Sequence, residues 1–152
     1  MSRRIYSEIN LHITWHTKDN LPMIRSNEAQ LYSFLKNKVI ETPGAYFHAI
    51  GGVEDHVHLG VSVSPTLAID NWIGQLKGAS SHEMGKSLAW QSGYGIVSFG
   101  TKDLKWVVNY ILNQKEHHKR GPFTTDSNEL RISRAKAFLR RTLKRPFSPR
   151  QF

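Results

Sequence analysis

Two histidines separated by one residue, His56 and His58, are the clearest candidates for chemistry in this sequence. They lie in HVHLGVSV, where polar or small residues alternate with Val and Leu. Successive side chains of a strand point to opposite faces, so both imidazoles lie on one face, close enough to bind one cation. Gly60 follows on that face and leaves room for a bulky group to approach. A solvent-facing polar strand would show the same pattern, and two histidines do not by themselves define a metal site.

A tyrosine and a glutamine four residues apart, Tyr110 and Gln114, form a second candidate pair. They fall in a predicted helix from Lys102 to about His118, with Thr101 as its N-cap. Residues four apart lie one above the other on a helix, so a phenol and an amide oxygen project together. If this helix packs beside the sheet, Gln114 could supply a third ligand to a cation on the histidines, and Tyr110 could reach a phosphate on the same cation. Asp55 precedes the histidines and points to the opposite face if the strand is regular. The alternative is an aromatic residue at the core edge with a surface amide.

The elements that would position these groups follow the order β-α-β-β-α-β-α. Over residues 5–16, one set of alternate positions is largely apolar and the other is largely polar, which is the pattern of a strand with one buried face. Helices are predicted from Ser26 or Asn27 to about Glu41, and from Pro65 or Thr66 to about Met84. Strands are predicted over 45–50, 56–63 and 93–100. The first six elements match an α+β, ferredoxin-like antiparallel sheet with helices on one face, and the third helix is an addition. Its predicted core stripe comprises Leu104, Val107, Val108, Ile111 and Leu112.

Composition excludes several classes of protein. The 152 residues suit one domain, contain no cysteine for disulfides or thiolate metal sites, and include no apolar run long enough for a membrane span. We therefore expect a cytoplasmic protein. Of 21 Lys and Arg, eight lie in residues 131–152, which contain none of the 12 Asp and Glu. Such a tail attracts nucleic acid by counterion release, although a solvated end with no specific partner is the alternative.

Four segments in order resemble the single-tyrosine HUH transposases of small bacterial insertion sequences and the related REP-associated tyrosine transposases. They are GGVEDHVHLGVSV, IGQLKGASS, LAWQSGYG and NYILNQKEHHK, and the resemblance covers roughly residues 5–120. It implies that Tyr110 is the nucleophile and that His56, His58 and Gln114 bind Mg²⁺ or Mn²⁺. It also implies a nucleoid-associated homodimer that cuts and rejoins single-stranded DNA at hairpin ends through a 5′-phosphotyrosine.

The resemblance divides the chain into a catalytic domain, 1–120, and a linker with a basic tail, 121–152, which is unlike the family's usual end. Trp72, Trp90 and Trp106 are candidates to stack on bases, although Trp72 also fits the core. Three functions fit: a transposase, a domesticated relative that nicks chromosomal repeats, and a non-catalytic ferredoxin-like nucleic-acid binder. The candidate phosphate contacts, each equally explained by solubility, are Lys77, Lys115, Lys119 and Arg120.

Deleting residues 131–152 should flatten the salt dependence of DNA binding. Each cation that neutralises a phosphate on single-stranded DNA contributes about 0.7 to the slope of log K against log salt concentration. Fluorescence anisotropy with single-stranded DNA at several salt concentrations measures that slope. An unchanged slope would remove the tail from the DNA interface.

Overall fold

The computed structural model describes residues 5–119 and contains a four-stranded antiparallel sheet. The spatial order of its strands is β2-β3-β1-β4, which is the ferredoxin-like order. The predicted α+β class and the element order are therefore confirmed. The strands are β1 Asn10–His16, β2 Ala45–Gly52, β3 His56–Val63 and β4 Gly95–Phe99.

Two helices, α1 Glu28–Glu41 and α2 Ile69–Met84, cover one face of the sheet. The alternation in β1 and β3 sends the apolar side chains toward them, as predicted. Leu31, Leu35 and Ile73 are among the helix residues buried in this core. None of the helices within residues 5–119 is both long and apolar enough to span a membrane.

Several predicted boundaries were wrong by a few residues. β1 begins at Asn10 rather than at residue 5, and α2 begins at Ile69 rather than at Pro65 or Thr66. Asn27, one of the two predicted candidates, is the N-cap of α1, but its side chain makes no capping bond and donates to Ser87. Thr101 lies in a 3₁₀ turn, and the N-cap of the helix that follows is Asp103. Alternation and periodicity give the type of an element, whereas its ends depend on such tertiary bonds.

The predicted third helix is interrupted. It consists of α3 Leu104–Leu112 and α4 Gln114–Lys119, separated at Asn113, where φ is −101° and ψ is 24°. Asn is a poor residue for a helix interior because its side chain competes for backbone hydrogen bonds. Val107 and Ile111 of the predicted stripe are buried, but Leu112 is 60% exposed, contrary to the prediction. The chain divides into two units, Met1–Lys115 and Glu116–Phe152.

Helix α3 packs on the sheet face opposite α1 and α2. Val107 and Ile111 contact Ala49 in a small second core. Glycines permit the close approach: a methyl group on Gly51 would overlap the carbonyl oxygen of Ile111. On Gly60, a methyl would lie 2.9 Å from the Cδ1 atom of Ile111. The predicted role of Gly60, to admit a bulky group, is confirmed, and that group is Ile111.

Gly51→Ala should destabilise the fold by about 1–3 kcal/mol, because the added methyl meets helix backbone, which cannot rotate away. Gly60→Ala should cost less, since the end of the Ile111 side chain can move. Urea unfolding of the variants measures both effects. Gly74→Ala in α2 is the control: apart from the neighbouring backbone of α2 itself, no atom of the described residues lies within 4 Å of the added methyl. This variant should therefore be neutral or stabilising. Equal stability of the Gly51 and Gly74 variants would contradict the packing described.

Candidate metal centre and nucleophile

The polar faces of β1 and β3 meet beneath α3. The antiparallel register pairs His16 with His56, Thr14 with His58, and His12 with Gly60. These side chains lie opposite the large core, although His12, Thr14, His56 and His58 are all buried. Buried polar groups are costly unless they are bonded, so a cluster of this kind marks a candidate functional site.

Asp55 fixes the orientation of the first histidine. Its Oδ1 atom lies 2.6 Å from Nδ1 of His56. Since a carboxylate only accepts hydrogen bonds, Nδ1 carries a hydrogen, and in the neutral ring Nε2 is the atom with the lone pair that can bind a cation. The expectation that Asp55 points to the opposite face was wrong, because Asp55 precedes β3 and is not bound by strand alternation.

His58 is oriented by β1. Its Nδ1 atom lies 2.8 Å from Nε2 of His12 and 3.2 Å from the hydroxyl of Thr14. Burial lowers the pKa of His12 to about 4, so His12 is neutral at physiological pH. A neutral imidazole next to His58 adds no charge that would repel a cation.

His16 adds a third possible ligand that the sequence analysis missed. Its ring stacks on that of His56 with centroids 4.7 Å apart. Ligand atoms of His16, Asp55 and His56 all lie within 4.8 Å of one another, a grouping that could hold a metal ion. Burial lowers the pKa of His16, although the charge of Asp55 opposes the shift. The signal was present in the sequence: His12 and His16 share the polar face of a strand that pairs with His56 and His58.

Tyr110 lies against these histidines within the same chain. Its ring centroid is 5.9 Å from that of His58 and 5.8 Å from that of His12. The ring of Trp106, one turn earlier, stacks on it with centroids 5.4 Å apart. Three of the predicted site residues, His56, His58 and Tyr110, therefore form one cluster, since the two histidine rings are 5.0 Å apart.

Gln114 is connected to this cluster through the backbone of Tyr110. Its side chain is 2% exposed, and its amide nitrogen donates to the carbonyl oxygen of Tyr110 over 2.8 Å. This bond satisfies a carbonyl at the end of α3, where the helix is interrupted. The amide oxygen is the atom that would bind a cation, and a ligand role for Gln114 stays a prediction.

Three of the four predicted phosphate contacts have other partners in the structure. Lys77 donates to the carbonyl oxygens of Gln91 and Gly93, and burial lowers its pKa. Lys115 pairs with Glu28 at 2.8 Å, and Lys119 lies 3.7 Å from Glu116. Arg120 lies outside the described residues, as does the tail. DNA contacts by these four residues stay predictions.

The tryptophans differ in their surroundings. Trp72 is a core residue, 4% exposed, in agreement with the alternative that the sequence offered for it. Trp90 packs partly buried against the same core and donates to Ser80. Trp106 belongs to the small core under α3, where it contacts the candidate nucleophile.

Two solved structures have the same fold. One is a REP-associated tyrosine transposase bound to a REP hairpin, with 17% identity, a TM-score of 0.59, and coverage of 100% of this chain and 94% of that chain. The other is a protein assigned as a transposase from Deinococcus radiodurans R1, with 22% identity, a TM-score of 0.58, and coverage of 75% and 96%. The chain has no sequence match among curated proteins.

A family model matches most of the chain. The model, described as "Transposase IS200 like", matches residues 5–114, which include every strand and Tyr110. That match ends at Gln114, the first residue of α4. The chain belongs to the IS200-like transposase family.

Proposed function

We propose that this protein cuts and rejoins single-stranded DNA through a covalent bond between Tyr110 and a 5′-phosphate, with a divalent metal. The observation that supports this most directly is the position of Tyr110. Its ring lies against His58 and His12 in a cluster that also contains His56 and Asp55. A phenol next to ligands for a cation combines a nucleophile with a Lewis acid, an arrangement suited to phosphodiester cleavage.

The residues present fit Mg²⁺ or Mn²⁺. His56 has a defined tautomer with Nε2 as its ligand atom, His58 supplies a second imidazole, and the amide oxygen of Gln114 is a hard oxygen donor. Bound there, the ion would polarise a phosphate oxygen as a Lewis acid. We propose His56, His58 and Gln114 as its ligands, with Asp55 orienting His56.

The chain's own nucleophile accounts for the covalent chemistry. The phenol oxygen of Tyr110 forms a bond to phosphorus, and the bond to the 3′ oxygen of the preceding nucleotide breaks. The phenol loses its proton to solvent, and the departing oxygen takes one up to become a 3′-OH. A phenolate is a better leaving group than an alkoxide, so another 3′-OH can reverse the step and join a new strand.

The substrate we propose is single-stranded DNA beside a hairpin. The structural relative bound to a REP hairpin supports this substrate. A single chain already places Tyr110 against its own histidines. The homodimer expected from the resemblance would therefore not be needed to complete the catalytic site, and its role would lie in bringing two DNA ends together.

Tyr110→Phe should abolish a covalent protein–DNA adduct while leaving DNA binding within about twofold, because it removes only the hydroxyl. The measurement is a denaturing gel after incubation with hairpin single-stranded DNA and Mn²⁺. Tyr94→Phe is the matched control, since Tyr94 bonds to Asp70 and lies outside the cluster. An adduct that persists in Tyr110→Phe would identify another nucleophile. The non-catalytic binder predicts no adduct in the wild type and DNA binding that is indifferent to metal.

Asp55→Ala should weaken Mn²⁺ binding by about 10–100-fold, as loss of a carboxylate partner to a ligand histidine does in other metal sites. Calorimetry measures the affinity, and nitrogen NMR of the His56 ring reports whether the Nδ1–H tautomer is lost. Glu54→Ala, which removes the neighbouring exposed carboxylate paired with Arg25, should leave both unchanged. Unaltered Mn²⁺ affinity in Asp55→Ala would show that the carboxylate has no part in the site.

A further inference from the structure

A second polar site lies on the same face of the sheet, at the other ends of β1 and β3. It is a cleft of about 590 Å³ bounded by the first residues of β1 and β2, the end of β3 and the start of α3. Its lining shares no residue with the cluster around Tyr110. The lining residues used below are Glu8, Asn10, Tyr46, His48, Ser62 and Thr101.

A chain of hydrogen bonds with a fixed direction crosses this cleft. The amide nitrogen of Asn10 donates to the carbonyl oxygen of Phe99 and to the hydroxyl of Thr101. Its amide oxygen must then accept from Ser62, at 2.6 Å. The hydroxyl hydrogen of Ser62 is thereby used, so Nε2 of His48, 2.6 Å away, is the donor.

The two ends of this chain have opposite hydrogen-bonding character. His48 has its hydrogen on Nε2, and burial lowers its pKa, so Nδ1 is an acceptor at neutral pH. Thr101 accepts from Asn10 and keeps its own hydroxyl hydrogen to donate. The cleft therefore presents a donor at one end and an acceptor at the other, which suits a ligand with both kinds of group on one edge.

A β-bulge places His48 in the cleft. The pairing of β2 with β3 shifts between Phe47 and Ala49, so His48 is the extra residue. Tyr46 pairs with Ser62, and the shift brings Ala49 onto the same face, beneath α3. Bulges re-aim side chains beside functional sites, and this one keeps both Tyr46 and His48 beside Ser62.

The charge and the aromatic rim indicate what the cleft binds. Among the residues that the structure describes, its lining includes the carboxylate of Glu8 and neither Lys nor Arg, a charge that disfavours phosphate. Tyr46 is 74% exposed, and its ring centroid lies 6.4 Å from that of His48. An exposed aromatic ring above donors and acceptors is the usual way in which proteins hold an unstacked base.

We infer that this cleft binds one unpaired nucleobase of the single-stranded DNA substrate, stacked on Tyr46 and hydrogen-bonded to His48 and Thr101. The inference rests on the proposed function only for the identity of the substrate. The base lies on the same sheet face as Tyr110, so the cleft fixes which nucleotides reach the catalytic cluster.

The test is DNA binding without divalent metal, measured by fluorescence anisotropy at several salt concentrations. The probe is a hairpin oligonucleotide with single-stranded thymine flanks. Tyr46→Ala should raise Kd by about tenfold, the effect of losing one stacked base. The slope of log Kd against log salt should stay unchanged, because no phosphate contact is lost. Ile40→Ala, exposed on the helix-covered face of the fold, is the control for Tyr46→Ala.

Abasic substitution then locates the base. Removing the base at one position of the single-stranded flank should raise the Kd of the wild-type protein. Removing the same base should leave the Kd of Tyr46→Ala unchanged. Three results would overturn the inference. Tyr46→Ala could bind DNA as tightly as wild type, its salt slope could change, or no flank position could show a base removal that affects wild type and not Tyr46→Ala. A missing Tyr110 adduct with intact coupling would instead refute the proposed catalysis and leave the base site standing.

Discussion

The position of α3 against the sheet is the constraint on which the site depends. The helix comes close only because two residues beneath it, Gly51 and Gly60, have no side chain. This contact fixes Ile111, and Tyr110 is its neighbour in the same helix. The ring of Tyr110 is thereby held beside His58 rather than in solvent. Because there is no room for a methyl group between α3 and either glycine, small changes there act directly on the candidate nucleophile.

The buried polar face explains why the site is preorganised. Imidazoles taken out of water favour the neutral form, as the lowered pKa values of His12 and His16 show. In a neutral imidazole only one of the two ring nitrogens carries a hydrogen. In His56 the hydrogen bond to Asp55 fixes that hydrogen on Nδ1. The cost of burying these groups is offset by the cores on both sides of the sheet. Such a departure from ordinary core chemistry is typical of functional sites.

Side-chain periodicity was enough to predict the sheet and its faces, whereas the association of Tyr110 with His56 and His58 was implied by the family resemblance. Features set by tertiary contacts were not predictable. Asp55 lies just outside β3, so strand alternation did not govern it. The interruption at Asn113 and the bulge at His48 each involve one residue, and neither disturbs the surrounding pattern. The sequence does contain His12 and His16 on a polar strand face, but their relevance depends on strand pairing.

The central claim is that Tyr110 lies beside the metal within a single chain. Fluorine NMR of 3-fluorotyrosine incorporated at position 110, titrated with Mn²⁺, tests this directly, because a paramagnetic ion broadens nearby fluorine signals steeply with distance. The account predicts that the signal at position 110 broadens at Mn²⁺ concentrations that spare fluorotyrosine at position 94, and that His56→Ala combined with His58→Ala removes the effect. A signal at position 110 that stays sharp while Mn²⁺ binds to the protein would contradict it.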